Sequence, residues 1–138
     1  MNLRLTHTCI YVLDQERAFD FYVNKLGFKL NTDAKNGDFR WLTVNPPDQP
    51  DLEISLMAVK ESHAMDKETV DALKMLVRKG TFGFGAFHSA NVYAAYEEMK
   101  AKGVVFKAPP KKEFYGVSCV FSDDSGNWFS LTESEPGK

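Results

Sequence analysis

The chain has 138 residues and a formal net charge of −2, with 43% hydrophobic and 26% charged side chains, which suits one domain or two small modules sharing a core. Its Lys and Arg are scattered, so it lacks the concentrated basic face that nucleic-acid binding requires. No apolar run approaches the ~20 residues of a membrane span, and the opening Met-Asn-Leu-Arg-Leu-Thr-His has no signal-peptide core, so no membrane partner and a cytoplasmic location are expected.

The first predicted element is a strand over residues 3–13, rich in β-formers. Asp14 N-caps a helix anchored by Ala18, Tyr22 and Leu26, and Gly27 stops it. A strand over 28–32, a turn at 36–38 and a strand over 39–44 follow. The Pro46-Pro47-Asp48-Gln49-Pro50 stretch is an irregular loop, and 52–59 is another strand. This is β-α-β-β-β. A connector helix is expected over 66–79, from the spacing of Val70, Leu73, Leu76 and Val77, with Gly80 as its stop.

The pattern then restarts. Residues 81–90 are strand-like, Asn91 caps a helix with Val92, Ala95, Tyr96 and Met99 on one face, and Gly103 ends it. Strands over 104–107, 117–122 and 128–133 complete a second β-α-β-β-β unit, with a turn at 124–127. The repeat is also visible in letters: the run from Ala18 to Phe28 lies over the run from Ala94 to Val104, each a helix, a glycine stop and an apolar strand start. The expected fold is α+β, with two βαβββ modules forming an open barrel-like mixed sheet around a shared cavity. The divisions are residues 1–60, a 61–80 connector and 81–138.

Strand alternation sorts the candidate residues. With Ile10 and Val12 facing the helix, His7, Cys9 and Tyr11 share the other face. With Leu52, Ile54 and Leu56 facing the helix, Glu53, Ser55 and Met57 share theirs. His7 has the widest repertoire of these (metal ligand, acid, base or hydrogen-bonding wall), and a lone strand histidine is more often a satisfied polar residue. Glu53 reads either as a solvated edge carboxylate or as a partner of His7. Tyr11, Trp41, Phe84, Tyr115 and Trp128 are aromatic residues that either line a cavity or fill a core. Cys9 and Cys119 sit in strand-like runs without a CxxC and read as reduced thiols. Cys9 and His7 are ~7 Å apart on one face, beyond direct hydrogen-bond reach.

These pieces resemble the vicinal oxygen chelate superfamily of glyoxalases, bleomycin-resistance proteins and extradiol dioxygenases. The resembling residues are His7 to Asp14, Ala18 to Tyr22, Leu26-Gly27-Phe28, Tyr96 to Phe106, Tyr115-Gly116, and Phe121 to Leu131. The resemblance implies a small-molecule ligand, a homodimer and, in metal-dependent members, a divalent ion such as Zn, Ni, Mn or Fe. It matches His7 and Glu53 to two ligand positions. In the second module those positions fall on Phe84 and Ser130, neither a good ligand, whereas catalytic zinc and the non-haem iron triad need three protein ligands. His88 has the parity of Phe84 but lies ~13 Å further along the strand, and His63 falls in the connector.

Three readings stand on the sequence. One is a metal-independent protein binding an apolar or aromatic molecule, with Ser130 among the contacts. The second is a metal-dependent lyase, isomerase or dioxygenase using His7, Glu53 and a third ligand such as His88. The third is a metal-free enzyme with Glu53 as general base and His7 orienting it.

Overall fold

The computed structural model describes residues 1–134. The chain forms two compact units, Met1–Met75 and a second beginning at Leu76. The first contains β1 (His7–Val12), α1 (Gln15–Phe19), a π-helical segment (Asp20–Lys25), β2 (Lys29–Asn36), β3 (Phe39–Asn45) and β4 (Glu53–Ala58). Its strands are ordered β1-β4-β3-β2, with β1 and β4 parallel and the other pairs antiparallel.

Local chemistry sets the helix ends as expected. The Asp14 carboxylate accepts from the Arg17 amide at 3.0 Å, a standard N-cap. The widened segment closes with the Leu26 amide on the Phe21 carbonyl and the Phe28 amide on the Tyr22 carbonyl. Gly27 supplies the positive φ of +76° that this exit needs. Ala18, Phe21 and Tyr22 are buried with Ile10, Val12, Leu42, Val44, Ile54 and Leu56. These strand residues share one face by their alternation, so the core lies between the helix and that face.

β1 is shorter than its composition suggests. Leu3 and Leu5 are exposed at 81% and 73%, and ahead of β1 the ladder continues only in the Glu53 amide donating to the Thr6 carbonyl. β2 is longer than expected, reaching Asn36 through a hairpin that Gly37 turns with φ +63°. The proline-rich loop is tied down by Asn45, whose amide donates to the Leu52 carbonyl at 2.8 Å.

α2 (Lys67–Arg78) crosses from the first unit into the second. The second unit continues with β5 (Gly83–His88), α3 (Val92–Ala101), β6 (Val105–Phe106), β7 (Lys111–Glu113), β8 (Gly116–Ser122) and β9 (Trp128–Ser134). Its order is β5-β9-β8-β6, with β7 also pairing with β8; the short β7 was not foreseen. Asn91 caps α3 by accepting from the Ala94 amide, and the Glu133 carboxylate accepts from the Val92 amide at 2.7 Å, fixing the helix start to the last strand. Phe121 and Phe129 stack in the core, with half-buried Phe87 against both, beside the edge-to-face pair of Tyr96 and Phe106.

The turn between β8 and β9 is built around one carboxylate. Asp123 Oδ1 accepts from the amides of Ser125, Gly126 and Asn127, and Oδ2 from the Asn127 side chain. The two βαβββ modules and the α+β class agree with the sequence. Among the described residues the strands make two sheets, of four and five strands, and no closed barrel. No helix among the described residues is long and apolar enough to cross a membrane.

Candidate ligand-binding face

The face of the first sheet turned away from its helix gathers the sequence-predicted residues of that module. Parallel pairing sets His7 against Glu53, Cys9 against Ser55 and Tyr11 against Met57. Ser55 also pairs with Thr43 on β3, and Thr43 with Thr32 on β2. Paired residues project to the same side. A row of Cys9, Ser55, Thr43 and Thr32 therefore crosses all four strands.

The middle of this row is polar yet covered, whereas Cys9 and Thr32 at its ends are half-buried. Thr43 is 0% exposed and Ser55 1%. Ser55 Oγ donates weakly to the Thr8 carbonyl at 3.4 Å, whereas Thr43 Oγ1 has no hydrogen-bond partner. Burial pushes the Cys9 thiol up from its ordinary value, against the opposing pull of hydrogen bonds with Ser55 and Tyr11. Burial, and then the neighbouring Cys9, raise the Tyr11 phenol. Cys9 is thus poorly ionised and a poor nucleophile.

Aromatic rings lie beside the row. Trp41 is two residues from Thr43 on β3 and shares its face. Its indole stacks on the His7 imidazole, with centroids 5.7 Å apart and planes at 28°, and on the Phe39 ring at 6.5 Å and 18°. β3 runs antiparallel to β4, so Trp41 and His7 lie on opposite sides of the Cys9–Thr32 row. Their stack crosses it diagonally, above Ser55.

His7 is exposed and Glu53 half-buried, on adjacent strands. Among the described residues, no group of three or more His, Cys, Asp or Glu side chains is arranged to hold a metal ion. In the second module Ser130 pairs with Ala86 and Val120, and exposed His88 pairs with Thr132. Even spacing had put Phe84 on the face of Ala86 and His88. A bulge between Gly83 and Gly85 breaks that count, and the Phe84 ring lies 5.3 Å from Phe82 and 6.3 Å from Phe129. Trp128 is half-buried, packed so closely over Gly83 that a Cβ there would overlap its ring. Tyr115 is 50% exposed at the β7–β8 turn, its hydroxyl 3.2 Å from Ser118 Oγ.

Sequence reading missed Thr43, Thr32 and Phe39. Thr43 and Phe39 carry the parity of Trp41, which was the available signal. Thr32 joins them only through the shift in β2 register between Leu30 and Thr32.

The sequence model of the Glyoxalase/Bleomycin resistance protein/Dioxygenase superfamily matches residues 4–131. The chain belongs to this superfamily. Among solved structures, UcmS2 is 45% identical with a TM-score of 0.90, covering 97% of this chain and 100% of that one. TnmS3, an antibiotic binding protein from Streptomyces sp. CB03234, is 26% identical with a TM-score of 0.73, covering 97% and 98%. The lactoylglutathione lyase of Neisseria meningitidis serogroup A is 29% identical over 139 residues, covering 98% of this chain and 94% of the relative. The superfamily thus includes both binding proteins and enzymes, and the scaffold alone does not choose between them.

Proposed function

We propose that this superfamily member binds a small planar aromatic or apolar molecule on the first module's sheet face and needs no metal to do so. The observation that carries this is the His7–Trp41–Phe39 strip, whose nearly parallel rings offer a stacking surface beside buried hydroxyls. The likeness to an antibiotic binding protein supports it. The second module is proposed to contact ligand on its own sheet through Trp128 and Tyr115, with Phe84 and Ser130 as secondary contacts there. A homodimer is part of the proposal, favoured by exposed Leu3 and Leu5 beside β1.

The lactoylglutathione lyase relatives and the pairing of His7 with Glu53 favour a second reading, a metal-dependent enzyme. A divalent ion there would polarise a substrate oxygen. The donor set does not fit a three-ligand site: His7 and Glu53 supply two donors, and Ser130 and Phe84 are poor replacements for the others. Elemental analysis of protein purified without chelator separates the readings. The binding proposal predicts no stoichiometric metal and ligand-induced thermal stabilisation in EDTA. Stoichiometric metal that is lost in both His7→Ala and Glu53→Ala supports the enzyme instead.

A further inference from the structure

Thr43 sits at the centre of the first module's sheet, on the face away from the helix. It is 0% exposed, and its Oγ1 has no hydrogen-bond partner. An unpaired buried hydroxyl is destabilising, and valine, of nearly the same shape, would remove that cost. Thr43 thus carries a buried polar atom that adds no hydrogen bond to the fold.

Its surroundings suggest what the atom is for. Ser55 beside it is engaged with the Thr8 carbonyl, and Cys9 beyond that with Ser55 and Tyr11. In the row's central pair, Ser55 is therefore occupied and Thr43 is not. The His7–Trp41 stack crosses this row. His7 is exposed, and an exposed side chain changes rotamer readily. A flat molecule taking the place of the imidazole on the indole would keep the stacking and bring its edge over the middle row.

We propose that the Thr43 hydroxyl, next to Ser55 in the row that the His7–Trp41 stack crosses, selects planar aromatic ligands that carry an edge carbonyl oxygen, by donating a hydrogen bond to it. This rests on the sheet face being the binding surface, and deepens that reading to a ligand class. A site that satisfies its buried polar group only with the right ligand discriminates strongly against the analogue lacking the partner atom.

The test uses 9-fluorenone and fluorene, which share a planar body and differ in one carbonyl oxygen. Their affinities are measured by quenching of tryptophan emission in wild type, Thr43→Val and Thr43→Ser, alongside thermal midpoints without ligand. Wild type should prefer fluorenone by about tenfold, the ratio should fall to near one in Thr43→Val, and Thr43→Ser should retain it. Thr43→Val without ligand should melt higher by roughly 2–6 °C. A lower midpoint for Thr43→Val would show that the hydroxyl serves the fold and would overturn the inference. So would an unchanged preference in Thr43→Val that binds both compounds. If wild type binds neither compound, the binding-face reading itself fails and the inference falls with it.

Discussion

His7 on β1 and Trp41 on β3 stack with ring centroids 5.7 Å apart, although β4 lies between their strands. The contact holds the indole against the sheet. His7→Ala should make Trp41 more mobile and more accessible. In a Trp128→Phe background, where Trp41 is the remaining tryptophan, acrylamide quenching should increase. The thermal midpoint should change little, because a ring pair whose His7 member is exposed contributes only about 0.5–1.5 kcal/mol. Unchanged quenching would show that the stack does not restrain Trp41.

Arg40 holds the first module's outer strands to its helix. Its guanidinium donates to both Asp33 oxygens at 2.9 and 2.8 Å and to Glu16 at 2.7 Å. The hydrogen bond from Arg40 keeps the Asp33 carboxyl below its ordinary 3.8. A depressed acid stabilises the fold above its unfolded value, and that contribution is lost as pH falls through the lower folded value. Arg40→Met should therefore cost about 1 kcal/mol at neutral pH, mostly through the Asp33 fork, since Glu16 is 77% exposed. The gap between the variant's thermal midpoint and that of wild type should narrow below pH 3.8, where Asp33 becomes protonated in the variant first. A constant gap down to pH 2 (about two units below the reference value) would contradict this origin.

The β8–β9 turn is a structural element, although it is one of the most motif-like stretches of the chain. Asp123 gathers four donors, so Asp123→Ala should cost about 2–4 kcal/mol through unpaired amides. Gly126 has φ +115°, and a Cβ there would meet the Val77 carbonyl oxygen. Gly126→Ala should be at least as damaging, from backbone strain together with overlap. Urea unfolding of both variants measures this. Losses under about 0.5 kcal/mol, the range of an ordinary surface substitution, would remove the turn's structural role.

Much of the fold was legible because its signals are local. Asp14, Asn91, Gly27 and Gly103 mark helix ends through capping and positive φ, and alternation in β1 and β4 sorted Ile10, Ile54 and Leu56 from His7 and Glu53. Features set by pairing between strands were not legible. Thr43 enters the middle row only through its register with Ser55 and Thr32. The bulge at Phe84 interrupts the even spacing on which counting relied. Leu3 and Leu5 have strand composition but lie ahead of β1, where the hydrogen bonding that would extend the strand is mostly missing.

Metal-free binding of a planar ligand by Trp41 and its neighbours is measured by titrating 9-fluorenone, in EDTA, into wild type and Trp41→Ala, with affinity read calorimetrically. Wild type should bind in EDTA, and Trp41→Ala should lose about tenfold or more, near 1.4 kcal/mol. Binding that requires added divalent metal, or that is the same in Trp41→Ala, would contradict it.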